Sequence, residues 1–92
     1  MERAVRAEIT GAYGRYRAAR AAVEAFEASV IRPAEESVRV LGASHAAGET
    51  SFFEVLAEQR RLIDTRKAYI DALRQEALAR AALERAVGTP LQ

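Results

Sequence analysis

The sequence contains no cysteine and no tryptophan, only two prolines, and 7% aromatic residues among its 92. Without cysteine the chain has no disulfide, thiol nucleophile or thiolate metal site, although this absence leaves the cellular compartment open. The chain also lacks a large excess of charge of either sign, because 14 Lys and Arg residues balance 13 Asp and Glu residues to a net charge of +1. A protein that binds nucleic acid through its charge needs a clustered basic face, so this balance argues against that class.

Long apolar runs are absent as well. The longest uncharged stretch, residues 40–48, is too short and too polar to span a bilayer. Charged residues interrupt any apolar core near the start, so we expect no signal peptide in this chain. No Ser/His/Asp, Cys/His or paired metal-ligand motif is present. We therefore expect no catalytic site, no metal and no cofactor.

The residues that dominate are alanine, glutamate, arginine and leucine, a mixture typical of long helices and coiled coils. In the first half, apolar residues step alternately by four and three, which predicts a heptad seam that Ile9 and Leu41 extend. The seam residues are Ala12, Tyr16, Ala19, Val23, Phe26 and Val30. On the outer faces, Glu35 and Arg39 have the spacing of an i,i+4 ion pair.

Pro33 interrupts this pattern. It cannot donate a hydrogen bond to the Ser29 carbonyl, and its ring crowds that turn. We therefore expect a kink or a short break near residues 29–33, with helix on both sides.

A polar cluster follows the first helical pattern, and its residues are Ala47, Gly48, Glu49, Thr50 and Ser51. Gly48 suits the left-handed position after a helix, while Ser51 and Glu54 form an S-x-x-E capping box. Gly88 with Pro90 beyond it is a stop signal for the second helix. Because a connection this short makes two helices antiparallel neighbours, we predict a single all-α domain over residues 1–92. It is a long, coiled-coil-like helical hairpin, kinked near Pro33, with helices at about 2–46 and 51–87 and a tip turn at 47–50.

The second helix has adjacent apolar pairs every seven residues, which Leu73, Ala77, Leu83 and Val87 continue. Two such positions per heptad make a stripe wider than one neighbouring helix needs. We expect further helices to cover it, either by self-association or within a larger protein. The predicted packing residues of both helices are Val23, Phe26, Val55, Leu56, Leu62, Ile63, Tyr69 and Ile70.

Residues 48–60 read G-E-T-S-F-F-E-V-L-A-E-Q-R, and R-x-x-Y-x-x-A-L follows at 66–73 and A-x-x-x-L-E-R-A-x-G at 79–88. These segments resemble the outer-membrane efflux proteins of the TolC family, most closely its heavy-metal-type branch. Where the family has a tyrosine before the tip glycine, this chain has His45. We expect His45 to be packed or solvated rather than a metal ligand.

The resemblance implies that the chain is a fragment of a larger channel protein: the C-terminal periplasmic hairpin of a trimer whose β-barrel lies in the outer membrane. The tip, Ala47–Thr50 in sequence, would dock a periplasmic adaptor (membrane fusion) protein, and an inner-membrane pump would drive export. Glu54 and Glu58 would be acidic residues at the tunnel entrance, and Glu54 would also serve the helix cap.

Two other functions fit the same pattern of residues. The chain is alternatively a stand-alone coiled-coil scaffold, or the hairpin of an adaptor protein rather than of the channel. The R-L-S-type signature of adaptor tips is missing from the turn. Mixed acidic and basic faces argue against a helix that lies on a membrane surface.

Overall fold

The computed structural model describes residues 2–88, and all of their regular secondary structure is helical. Helix α1 spans Glu2–Phe26, a π-helical segment spans Glu27–Ile31, α2 spans Arg32–Ala46 and α3 spans Phe52–Val87. The all-α prediction is therefore confirmed for this part of the chain. Pro90 and the outermost residues of the predicted domain lie outside the described residues.

The break predicted near Pro33 takes the form of one π-helical turn, Glu27–Ile31, with helix on both sides. At its end the Arg32 amide donates to the Glu27 carbonyl, five residues back instead of four. Pro33 then lies in the first turn of α2, where a missing N–H costs least. A π turn holds one residue more than an α turn, so every later side chain is moved on by one position.

Because of this extra residue, the seam of the structure differs from the predicted seam after Phe26. Val30, which was expected on the seam, is 37% exposed, whereas its neighbour Ile31 is only 8% exposed. Partly buried apolar residues then continue in steps of three and four at Ala34, Val38 and Leu41. The prediction for Val30 is wrong because it assumed an uninterrupted α-helix through residues 27–31.

Helix α2 ends in a Schellman motif, in which amides beyond the helix satisfy its last carbonyls. The Gly48 amide donates to the His45 carbonyl and the Glu49 amide to the Ser44 carbonyl, each at 2.9 Å. Gly48 has a φ of 81°, a left-handed conformation that costs a residue with a side chain about 1–2 kcal/mol. Gly88 has a φ of 77° at the end of α3. Both glycines therefore have the left-handed conformation that the sequence predicted.

Burial along α3 repeats every seven residues at two heptad positions, of which the first includes the most deeply buried residues and the second, three residues later, is half-buried at Glu58, Thr65, Ala72, Ala79 and Ala86. At the first position, Leu62, Glu76 and Leu83 are buried, and Val55 and Tyr69 are half-buried. These five residues, which we call the α3 seam, are spaced seven apart along the sequence. Such strict seven-residue repetition is the pattern of a helix that packs along one edge, as in coiled coils.

Contacts divide the chain into two compact units. Among the described residues, the first unit comprises residues 2–24 with residues 71–88, and the second is Ala25–Ile70. In the second unit the Phe26 and Tyr69 rings stack, with centroids 6.1 Å apart. The buried apolar residues are Ala12, Val23 and Leu83 in the first unit and Ile31 and Leu62 in the second.

Glu35 and Arg39, which the sequence predicted to pair with each other, bind other residues instead. Arg39 binds Glu36, with its Nε donating to Oε2 at 3.0 Å. Glu35 instead accepts a hydrogen bond from Arg66 of α3 at 3.0 Å. The prediction considered neighbours on one helix only, and an arginine from α3 lies within reach of Glu35.

Candidate interaction surfaces

The turn between α2 and α3 presents small residues to solvent. Ala47, Gly48 and Glu49 are exposed, and Thr50 is half-buried. A Cβ built on Gly48 would meet no heavy atom within 4 Å. The four residues predicted to dock an adaptor thus lie together at an open turn that another backbone can approach closely. Their docking role stays a prediction.

Side-chain hydrogen bonds close this turn. The His45 Nδ1 donates to the Thr50 carbonyl at 2.8 Å, and the Ser44 and Thr50 hydroxyls hydrogen-bond to each other. The His45 ring also lies 5.9 Å from the Phe52 ring. Periodicity did not predict these bonds, because pairs five and six residues apart meet only through the geometry of the turn. The polar residues Ser44, His45 and Thr50 on either side of Gly48 were the available signal.

Helix α3 begins with one bond of the predicted capping box. The Ser51 hydroxyl accepts a hydrogen bond from the Glu54 amide at 3.2 Å. This bond satisfies one of the amides that the first turn of a helix leaves without a partner. The Glu54 side chain itself is exposed at the N-terminus of α3, where the helix dipole favours a negative charge.

The second predicted entrance residue, Glu58, has a different environment. Its side chain is only 18% exposed, and its carboxylate accepts from Arg61 at 3.2 Å. It borders a groove of about 310 Å³ whose lining residues are Glu36, Ser37, Val40, Leu41 and Glu58. The two acidic residues therefore do not form one surface cluster, because Glu54 faces solvent and Glu58 lies against neighbouring side chains. Their role at a tunnel entrance stays a prediction.

A second row of apolar side chains on α3 faces solvent. We call Phe53, Leu56, Ile63 and Ile70 the apolar stripe. Phe53 is 81% exposed, Ile63 53% and Ile70 56%, and Leu56 is also exposed. A groove of about 270 Å³ lies at one end of the stripe, lined by Phe53, Leu56, Ala57 and Arg60.

The predicted packing residues therefore separate into two groups. Those on the seams pack within the chain, and they are Val23, Phe26, Val55, Leu62 and Tyr69. Leu56, Ile63 and Ile70 each follow a seam residue by one position, and no neighbour within residues 2–88 buries them. Their packing role remains a prediction about a partner outside this chain.

Glu27 was not predicted to have a role, yet it binds two partners in the second unit. Its carboxylate accepts from the Tyr69 hydroxyl at 3.0 Å and from Arg32 at 3.5 Å. The bond to Tyr69 fixes one end of the π turn against α3. The sequence signal was weak, because Glu27 and Arg32 are five residues apart, a spacing that an α-helix does not bring together.

Glu76 was also missed, although it is the most buried charged residue among residues 2–88, at 6% exposure. Arg20 of α1 donates to its Oε1 at 3.2 Å and Arg80 donates to the same atom at 3.3 Å. Counting seven residues on from Tyr69 would have placed Glu76 on the seam. Apolar periodicity alone passes over this charged residue and continues through Leu73, which is 39% exposed.

Within residues 2–88, no group of three or more His, Cys, Asp or Glu side chains is arranged to hold a metal ion. In the same range, no helix combines the length and the apolar character that crossing a membrane requires.

Comparison of this chain with protein families, curated proteins and solved structures finds no match. The resemblance to efflux channels accordingly depends on the motifs at residues 48–60, 66–73 and 79–88.

Proposed function

We propose that this chain is the C-terminal periplasmic hairpin of a trimeric outer-membrane efflux channel of the TolC family. It would contribute tunnel wall, the entrance tip and the adaptor-docking site of a tripartite export system. One observation carries the proposal. The most family-like segment, residues 48–60, coincides with the exposed turn between α2 and α3 and with the start of the apolar stripe.

The contacts between helical segments support an antiparallel hairpin. Within each unit, the residue number falls along α3 as it rises along the segment that α3 contacts. The pairs are Tyr16 with Arg80 and Arg20 with Glu76 in the first unit, and Phe26 with Tyr69 and Glu35 with Arg66 in the second. The short turn at residues 47–50 is consistent with the same arrangement.

The apolar stripe supports a place within an assembly. Soluble monomers rarely expose a contiguous apolar patch larger than a few hundred Å², and larger patches mark interaction sites. Phe53, Leu56, Ile63 and Ile70 leave large side chains open along one face of α3. In a trimer of hairpins, helices of neighbouring protomers would cover this face and form the tunnel wall.

The tip supports the docking part of the proposal. Ala47 and Gly48 leave space for a partner backbone, and the bonds to Thr50 hold the turn in one conformation. Glu49 and Glu54 place exposed carboxylates beside this space. We propose that an adaptor protein binds here, that an inner-membrane pump drives export, and that the chain lies in the periplasmic portion of an outer-membrane protein.

A chimera tests this function. Residues 2–88 replace the C-terminal periplasmic hairpin of an efflux channel, and bacterial drug resistance is measured with Gly48→Leu and with Gly88→Leu. The two glycines are matched controls for backbone strain, because both have a left-handed φ near 80° and neither would have its Cβ near another atom. We expect trimers in all three chimeras, and loss of resistance with Gly48→Leu only.

The outcomes also separate the alternatives. Normal resistance of the Gly48→Leu chimera would refute adaptor docking at the tip. A chimera that forms no trimer would favour a stand-alone coiled-coil scaffold or the hairpin of an adaptor protein.

A further inference from the structure

Glu76 occupies a position where a coiled-coil seam normally has an apolar residue. Its neighbours on the α3 seam, seven residues away on either side, are Tyr69 and Leu83. Glu76 is nevertheless 6% exposed, more deeply buried than Leu62 on the same seam. A buried carboxylate needs charged or hydrogen-bonding partners. The helix that supplies these partners is the one that this position favours as its neighbour.

Two arginines supply those partners. Arg20 of α1 and Arg80 of α3 both donate to the Glu76 Oε1, at 3.2 and 3.3 Å. The Arg80 guanidinium also lies 5.8 Å from the centre of the Tyr16 ring, which places it between the two helices of this unit. The hydrogen bond with Glu76 is the main cause of the raised pKa of Arg20, so Arg20 stays charged.

Stability alone gives no reason for this arrangement. Burying a charge is unfavourable, and apolar residues that replace a buried ion pair commonly leave a protein equally stable or more stable. The best-attested use of a buried polar residue in a helical seam is to select one pairing over others. Of the two arginines that bind Glu76, only Arg20 lies on the other helix. Glu76 therefore favours α1 as a neighbour over any helix that lacks this arginine.

The competing partner is α3 of a second copy. With its regular heptads, α3 has a seam that suits pairing with an identical helix. In a parallel α3–α3 pair, equivalent seam positions face each other, so two Glu76 carboxylates would meet without Arg20, each with only the Arg80 of its own helix as a partner. We infer that Glu76 is a specificity-determining residue that commits this part of α3 to α1 of its own chain and prevents parallel α3–α3 pairing between copies. This inference does not depend on the proposed function.

A single introduced cysteine tests the inference, because the chain has no cysteine of its own. Ala79 is half-buried, three residues after Glu76 on the side of the seam. In a parallel α3–α3 pair two copies of Ala79→Cys would come close enough to form a disulfide under mild oxidation. With Glu76 intact, the introduced thiols face α1 of their own chain and should give little dimer.

In the Ala79→Cys background, Glu76→Leu should raise the disulfide-linked dimer about tenfold or more, as expected when a buried charge gives way to an apolar contact. Asp71→Leu is the control, since it also replaces a carboxylate of α3 by leucine, at an exposed heptad position that belongs to neither the α3 seam nor the apolar stripe, and it should leave the dimer level unchanged. Arg20→Ala also removes the Arg20–Glu76 bridge but keeps the repelling carboxylates, so it should give no dimer.

The result that would overturn the inference is a Glu76→Leu variant with no more disulfide-linked dimer than its Ala79→Cys parent. That includes the case in which this variant unfolds at a lower urea concentration and stays monomeric, because Glu76 would then be structural only. The account would also be contradicted if Arg20→Ala gave as much dimer as Glu76→Leu. In that case the cause would be loss of the Arg20–Glu76 bridge rather than loss of the Glu76 charge.

Discussion

The π turn at Glu27–Ile31 predicts an unusual response to the deletion of single residues. The seam passes through Val23 and Phe26 and resumes at Ile31, a step one residue longer than a continuous α-helix provides. Deleting Ser29, which is exposed, shortens this step to the normal four residues. The helix could then run unbroken with Ile31, Ala34, Val38 and Leu41 still on the seam.

The background of this deletion needs one further change. Without the π turn, Pro33 would lie inside an α-helix, where proline costs about 3 kcal/mol. The deletion is therefore made in a Pro33→Ala parent, which itself should differ little from the natural chain because position 33 is in the first turn of α2. The comparison that matters is between deletion variants of this one parent.

In that parent, deleting Ser29 should change the free energy of unfolding by less than about 1 kcal/mol, because no buried side chain leaves the seam. It also brings Glu27 and Arg32 to the favourable i,i+4 spacing. Deleting the exposed Ala21 is the control. It moves Val23, which is 4% exposed, and Phe26 out of phase with the residues before them. Burial of a valine side chain contributes about 1.5–3 kcal/mol, so with part of Phe26 the loss should be about 3 kcal/mol.

Urea unfolding followed by circular dichroism measures these differences. The expected order of stability is the parent and the Ser29 deletion together, with the Ala21 deletion well below them. If both deletions destabilise the chain equally, the π turn is not the element that aligns the two parts of the seam. A Ser29 deletion that costs more than the Ala21 deletion would refute the reasoning outright.

The structure also predicts how two further substitutions change stability. Ser51→Ala removes the hydroxyl that accepts the Glu54 amide, and should lower the free energy of unfolding by about 1 kcal/mol, whereas exposed Ser29→Ala should change it little. The hydrogen bond from Arg39 lowers the pKa of Glu36, so this pair stabilises the fold above the ordinary glutamate pKa of about 4.3 and stops doing so as pH falls through the lowered value. The urea midpoints of the natural chain and Glu36→Gln should therefore differ more at neutral pH than in strong acid, and an equal difference at both would contradict the assignment.

The sequence predicted those features that depend on residues close together in the chain. Gly48 and Gly88 have the left-handed conformation expected of glycine after a helix, and the Ser51 hydroxyl bonds the amide that the capping motif indicates. Helix bounds followed from the same local signals. Each of these is determined within a few residues, so neighbouring sequence was sufficient information.

The features that the sequence did not predict depend on which helix lies opposite. Pro33 indicated a break, but only the need to align Ile31 with α3 explains why the break takes the form of an inserted residue. Glu76 was missed for a related reason, because a charged residue is expected on a helix surface unless its partners are known. The Arg20 that binds it lies 56 positions away in the sequence, beyond any helical periodicity.

The central claim is that the apolar stripe on α3 is covered by other copies of the chain. Sedimentation equilibrium of the natural chain at tens of micromolar tests it most directly, beside a Leu56→Glu/Ile63→Glu variant and an Ala68→Glu control on the far side of α3. The account predicts that the natural chain and the control sediment as oligomers, with trimers as the expected species, and that the stripe variant is a helical monomer. A natural chain that stays a fully helical monomer at these concentrations would contradict it.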